Sequence, residues 1–464
     1  MRMTIGRHCK RRRPRDLRLW RFRFASDFHS TTDSRLTSRH VSNVPPADIA
    51  DHRTPAYADR MSRPSPTKSL WNDALQTLVR EAFVPGAAAA VVRHGQVAEL
   101  SAFGVRCVRT MDAIDEHTIF DAASLSKPVF AHLVLQLSER GILNLDTPLN
   151  ALLPRYLAAG PSSSITPRHI LSHSAGLPNW RSPDFPLRTY FSPGERFSYS
   201  GEGYFYLQQA IEQATGETLD ELARDLVFDP LEMARSSFIW QRNFEANRAF
   251  PHDAFGMPAL GYKSGIANAA WSLQTCASDY ALFLCAVLGG ERLDQKTAAL
   301  WMSPSVEIKH RGIQCLTQSD DDINTGIAWG LGWGLETEAE AFFHWGDNGP
   351  YTSFCIGRPK DQSALVVFTN GASGHSVMHE VVKRVLPGER ASLKWLDYVR
   401  HDAPVRRLLR LSLSDGPELT WPKIELAALE REQLIWIAQG LNARGDEKGS
   451  AWLLAKSCAV KSQG

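Results

Sequence analysis

Signatures of metal and nucleotide chemistry are missing from this 464-residue chain. It has no His-Glu-x-x-His, which excludes a zincin-type helix, and no Gly-x-Gly-x-x-Gly or lysine-bearing phosphate loop, which argues against a βαβ nucleotide fold. No Cys-x-x-Cys pair occurs. The cysteines (Cys9, Cys107, Cys276, Cys285, Cys315, Cys355 and Cys458) are scattered and odd in number, which excludes a disulfide framework and a cysteine-rich zinc site. They read as small core residues. No apolar run reaches membrane-spanning length; the nearest, from Ala269 to Leu288, is broken by Gln274 and Asp279. A net charge of only +2 supplies no global attraction to nucleic acid or to an anionic membrane.

The positive charge is unevenly placed. Residues 1–25 hold Lys10 and nine arginines, including Arg11-Arg12-Arg13, against one acid, Asp16. That run reads as a disordered leader, or as sequence upstream of a start at Met61; a nucleic-acid, lipid or targeting tail is the functional alternative. Leu19-Trp20-Arg21-Phe22-Arg23-Phe24 is followed by no apolar h-region or small-residue cleavage site, so the cytoplasm is the expected location. An organelle transit peptide needs no h-region and stays open. Residues 26–68, rich in Ser, Thr, Pro, Asp and Arg, read as a linker. The expected organisation is a leader and linker over 1–68, a folded domain over 69–388, and a partly helical extension over 389–464 that either caps the domain or binds a protein partner.

Within the domain, Leu70-Trp71, Leu75, Leu78-Val79 and Phe83 give a helical stripe. Ala87 to Val92 and Val97 to Phe103, joined by the turn Arg93-His94-Gly95-Gln96, predict a hairpin. A long helix is expected to open at Ser124, carry Val129-Phe130, Leu133-Val134 and Leu137 on one side, and end at Gly141 in the left-handed conformation. Thr166 and Pro167 predict an N-cap and first helical residue. Residues 200–245 and 276–288 read as mostly helical. Three β-prone runs follow, Phe342 to Trp345, Tyr351 to Ile356 and Ser363 to Thr369, before a helix from Ser376 to Val385. Strands at both ends with helices between predict an α/β (α+β) fold. Its sheet would be mostly antiparallel and built from both ends of the domain, with a helical lobe inserted over about 125–290.

The chemistry centres on Ser124-Leu125-Ser126-Lys127. A serine and a lysine three apart share one helix face, and a hydroxyl beside an amine at a helix's first turn suits an activated nucleophile. Two further sets accompany them: Tyr199 in Phe197-Ser198-Tyr199-Ser200-Gly201, and His344-Trp345-Gly346 in a strand running into Asp347-Asn348-Gly349. His173, between Ser172 and Ser174, reads as a structural residue. Trp333 and Trp345 read as packing aromatics, and Gly330 and Gly332 as points of close strand approach.

On these residues the chain resembles the serine β-lactamase-related family, in its class C β-lactamase, DD-peptidase and esterase branch. Ser124 and Lys127 stand at the nucleophile motif, Tyr199-Ser200-Gly201 at the Tyr-x-Asn motif, and His344-Trp345-Gly346 at the Lys/His-Thr-Gly motif. The flanks agree, from Val84-Pro85-Gly86 through Gly330-Leu331-Gly332-Trp333, so the resemblance covers about 70–387. It implies that Ser124 attacks a carbonyl and becomes acylated, that Lys127 helps to remove its proton, and that Tyr199 is general base and then acid. It also implies an oxyanion hole from the backbone N–H groups of Ser124 and Asp347. His344, Trp345, Gly346 and Gly201 would line the substrate pocket, with His344 hydrogen-bonding the substrate or the tyrosine oxygen. Neither metal nor organic cofactor is implied.

The chain departs from the family at Gly201, where an asparagine side chain reads the substrate amide. Glycine offers no side-chain donor or acceptor, and histidine at 344 is a poorer reader of a carboxylate than lysine. Both tilt the expectation toward an esterase-like serine hydrolase acting on a small ester, amide or peptide. The alternatives are a D-aminopeptidase, DD-peptidase or β-lactamase, and, from another class, a catalytically weak scaffold that recruits a partner through its termini. The loops over 178–198 and 240–270 are expected to shape the acyl pocket.

Overall fold

The computed structural model describes residues 73–154, 156–157, 164–317, 322–420 and 429–458. The basic leader, the linker, Leu70-Trp71 and Cys9 lie outside the described residues. Helix α1 (Asp73–Glu81) precedes the expected hairpin, β1 (Gly86–Arg93) and β2 (Gln96–Gly104). The short strand β3 (Phe120–Asp121) leads through a 3-10 turn, Ala123–Leu125, into α2 (Ser126–Glu139). The lobe continues with α3 (Pro167–Leu171), α4 (Gly201–Thr215), α5 (Leu219–Ala223), β4 (Gln274–Thr275), α6 (Ala277–Gly289) and α7 (Gln295–Trp301). Strands β5 (Val306–Glu307), β6 (Ile327–Trp329), β7 (Gly334–Glu336), β8 (Ala341–Asp347), β9 (Thr352–Arg358) and β10 (Ser363–Thr369) complete the sheet. Helices α8 (Met378–Val385), α9 (Ala391–Leu396), α10 (Pro404–Asp415), α11 (Pro417–Thr420), α12 (Arg431–Ala443) and α13 (Glu447–Ser457) follow.

The fold is α+β. Eight strands run in the order β2-β1-β10-β9-β8-β7-β6-β5, and β3 pairs with β4 in a separate two-stranded sheet. Every pairing is antiparallel, and β1 meets β10 in the register Ala87↔Thr369 to Val92↔Ala364. Alternation across β1 feeds two cores. Ala88, Ala90 and Val92 pack with the apolar residues of α2 and α6, whereas Ala87, Ala89 and Val91 pack with Leu75 and Val79 of α1 and Val381 and Val382 of α8. A strand buried on both faces explains the small-residue run that identifies it in the sequence.

Local signals are realised where the backbone chemistry demands them. Gly141 is left-handed at φ 73° after α2. Thr166 caps α3 in a box with His169, and Pro167 takes the first helical position. Two expectations change. The apolar face of α2 is not a stripe: every residue from Ser126 to Leu137 is buried, because the helix lies inside the lobe, with no face to solvent. Ser124 does not open that helix either. It sits in the preceding 3-10 turn, and the α2 N-cap is Leu125, with no side-chain cap. The region 200–245 is less helical than its composition suggests; after α5 it continues as a π turn, Arg224–Phe228, and is mostly irregular until the 3-10 turn Arg242–Asn247.

Candidate active site

The turn carrying Ser124 is held in an unusual shape. Ala123 is left-handed at φ 50°, a conformation that costs a residue with a Cβ about 1 kcal/mol. Its N–H donates to Asp121 Oδ1 at 2.9 Å, and its carbonyl accepts from Ser126 Oγ at 2.6 Å. Ser124 itself stays partly exposed. One turn on, Lys127 Nζ donates to Ser124 Oγ at 3.0 Å and to the Ala270 carbonyl at 2.7 Å. The amine also lies 4.7 Å from the Tyr199 ring centroid and 5.5 Å from that of Tyr204. Lys127 is only 1% exposed. No carboxylate pairs with it among the described residues, and burial alone drives its pKa well below the ordinary lysine value.

Tyr199 arrives from the segment before α4, its N–H donating to the Ile313 carbonyl at 2.9 Å. Its ring is buried against Trp345 at 5.1 Å and His173 at 4.2 Å between centroids. Burial pushes the phenol well above its usual pKa, and the neighbouring Ser124 side chain draws it partly back. His173 is left-handed at φ 54° and accepts a hydrogen bond from the Ser200 N–H on Nδ1 at 3.1 Å. It braces the tyrosine segment. Burial, then the charges of Lys127 and His344, hold it far below the usual histidine pKa.

Strand β8 brings the third set. His344 is fully buried and donates from Nδ1 to the Trp345 carbonyl at 2.8 Å, while Nε2 has no hydrogen-bond partner among the described residues. Burial and the Lys127 charge lower its pKa to about 3, so the ring is neutral at physiological pH. Of the two alternatives expected for His344, a hydrogen bond to the substrate or to the tyrosine oxygen, the second is not formed here: the two rings stand 6.2 Å apart between centroids. Gly346 is required by a close approach. A Cβ there would lie 2.5 Å from the Ala122 carbonyl and 2.2 Å from Ser353 Oγ, so β8 runs directly against the turn of Ser124. Asp347 ends the strand, exposed, with Oδ1 accepting from the Gly349 N–H at 2.8 Å.

Gly201 opens α4, and its surroundings account for the missing side chain. A Cβ at 201 would fall 2.5 Å from Cζ2 of Trp180. The indole therefore fills the direction in which an asparagine side chain would start. The neighbouring Asn179 accepts the Gly201 N–H on Oδ1 at 2.9 Å. Sequence reasoning gave no individual role to Trp180, Asp121, Asn348 or Ala270, although Trp180 and Ala270 fall in the two loops expected to shape the pocket and Asn348 in the run after His344-Trp345-Gly346. No motif marks them, since each reaches the site through a contact between distant segments. The Gly201 departure was the one local hint that something else occupies that space.

A buried amine touching a half-exposed hydroxyl, beside a buried phenol and a strand edge, can generate an alkoxide and attack an electrophilic carbonyl. A family profile described as Beta-lactamase matches residues 71–386. The chain is 26% identical to penicillin-binding protein 4 of Amycolatopsis lactamdurans over 70% of its own length and 90% of that protein. It is 31% identical to esterase EstB of Burkholderia gladioli, over 35% of this chain and about half (49%) of that one. Among solved structures, the octameric penicillin-binding protein homologue from Pyrococcus abyssi superposes with a TM-score of 0.58 at 22% identity, over 72% of this chain and 79% of that one. The chain thus belongs to the beta-lactamase family, within the superfamily of serine β-lactamases, penicillin-binding proteins and esterases.

Proposed function

We propose that the protein is an esterase-like serine hydrolase working through an acyl-enzyme on Ser124. The observation that carries this reading is the 3.0 Å contact between Lys127 Nζ and Ser124 Oγ, with the amine buried and unpaired by any described carboxylate. A neutral amine is the base such a step needs. Ser124 Oγ adds to the substrate carbonyl carbon as its proton passes to Lys127. The tetrahedral oxyanion is met by the backbone N–H groups of Ser124 and Asp347. Collapse breaks the acyl–oxygen bond, and the departing alkoxide takes a proton delivered from Lys127 by way of the Tyr199 hydroxyl. Water then attacks the acyl carbon and gives a proton to Lys127; collapse breaks the bond between Ser124 Oγ and the acyl carbon, Lys127 returns that proton to Oγ, and the carboxylic acid leaves. Because burial keeps the Tyr199 phenol protonated, we assign the base role to Lys127 and make Tyr199 the proton relay.

Preference for an ester over an amide or β-lactam follows from two features. Trp180 stands where an amide-reading side chain would begin, and His344 is neutral, leaving no cation at that position for an acidic group. EstB, the 31% identical relative, is itself named an esterase.

A fluorophosphonate probe tests the nucleophile. A single adduct on Ser124, absent from Ser124→Ala, is the expected result. Hydrolysis of p-nitrophenyl esters should then exceed that of D-amino-acid amides and a chromogenic cephalosporin by about 100-fold or more, as expected when a polar reader is missing. Faster cephalosporin or amide turnover would assign the lactamase or peptidase branch. No adduct on folded protein would favour the scaffold.

A further inference from the structure

We propose that Asp121 is a positioning residue that locks together the two halves of the oxyanion-binding site. Its Oδ1 accepts from the N–H of Ala123 at 2.9 Å and from Nδ2 of Asn348, also at 2.9 Å. Ala123 immediately precedes Ser124, and Asn348 immediately follows Asp347. One carboxylate oxygen thus bridges the neighbours of the two residues whose backbone N–H groups face the oxyanion. This rests on the acyl-enzyme reading above.

Three observations support the assignment. First, the left-handed Ala123 persists only where its surroundings hold it; the Asp121 bond holds its N–H, while its carbonyl accepts from the Ser126 N–H and Oγ. Second, Asn348 is anchored from other sides: Nδ2 also reaches the Trp271 carbonyl at 3.3 Å, and its N–H donates to Tyr351 O at 3.1 Å. The bridge therefore connects rigid partners. Third, the carboxylate is 7% exposed and forms no ion pair among the described residues. Burial raises its pKa to about 6. A buried carboxylate without a counter-ion is costly even when hydrogen-bonded, and what it orients accounts for its presence.

The test compares Asp121→Ala, Asp121→Asn and Asn348→Ala in the full chain, reading probe-labelling rate, ester kcat and KM, and melting temperature. Misplacing oxyanion donors should lower kcat and labelling in Asp121→Ala by about 10- to 100-fold, with KM within about 3-fold. Asp121→Asn keeps the Oδ1 acceptor and should stay within about 5-fold of wild type, which a purely electrostatic role would not allow. Asn348→Ala should lose about 10-fold in kcat, and the double alanine variant should be no slower than Asp121→Ala alone, since both cut one bridge. Wild-type kcat and labelling in a folded Asp121→Ala would overturn the inference while leaving the nucleophile intact. If that variant does not fold, an unchanged kcat in Asn348→Ala overturns it equally. An unlabelled wild type would instead remove the acyl-enzyme reading itself, and this inference with it.

Discussion

Lys127 is the residue whose physical cost most directly reveals its role. A lysine 1% exposed, held by one hydroxyl and one carbonyl, gains far less than its charged form loses on leaving water. Replacing it with the similarly sized Met should abolish probe labelling and ester hydrolysis while raising stability by about 1–2 kcal/mol near neutral pH. The pH dependence of that gain has a definite sign. The folded-state pKa is lowered, so between it and the ordinary lysine value the unfolded chain binds more protons, and wild-type stability rises with pH. Lys127→Met lacks this slope, and its advantage should shrink as pH rises through that window. Denaturant midpoints of both proteins across the alkaline range measure this. A constant or widening gap would contradict a neutral buried amine.

Among the elements, α9 is tied to the sheet by a buried polar cluster. Glu336, at the end of β7, is 1% exposed. Oε1 accepts from the Ser392 N–H at 2.9 Å and from Ser392 Oγ at 2.6 Å, and the Arg390 guanidinium stands 3.5 Å from Oε2. Removing one partner of such a pair leaves the other charged and poorly solvated. Glu336→Ala should therefore cost about 3 kcal/mol, whereas Glu336→Gln, which keeps an acceptor for Ser392, should cost less. Urea midpoints separate the two. Neither variant should change the probe reactivity of the folded fraction, because no contact in this cluster involves Ser124, Lys127 or Tyr199.

At the scale of the whole molecule, the C-terminal helices divide into two groups. Trp395 of α9 packs against Phe197 and Trp345 at 5.9 and 5.8 Å between centroids and donates to the His310 carbonyl at 3.3 Å. It thus belongs to the aromatic wall behind Tyr199, although its position in the sequence places it in the extension. Helices α10, α12 and α13 instead build a core of their own around Leu408, Leu409, Ile437, Leu441 and Leu453, resting on Phe83 and Phe255. A chain ending at residue 388 should consequently fail to fold into a probe-reactive form, since removing a buried tryptophan alone costs about 3–5 kcal/mol. A chain ending at residue 402 should keep Ser124 labelling but melt at a lower temperature. Labelling of the shorter chain would show that the wall behind Tyr199 is dispensable.

How much of this was legible beforehand depends on the range of the interactions. The hairpin of β1 and β2, the Thr166 cap, the Gly141 terminus and the late strands follow from alternation, capping and turn chemistry between residues close in the chain. The same locality places Lys127 beside Ser124, because three residues of helical or 3-10 backbone bring their side chains together. Local pattern therefore carries the α+β class, the sheet built from both ends, and Ser124, Lys127 and Tyr199 as the candidate catalytic residues. What surrounds them is set by long-range packing. Trp180 filling the space above Gly201, the Asp121 bridge to Asn348, and Trp395 behind Tyr199 join segments between about 20 and 230 residues apart. Burial set the rest: whether Lys127 and His344 are charged depends on the water that folding removes, and no local pattern of residues records that.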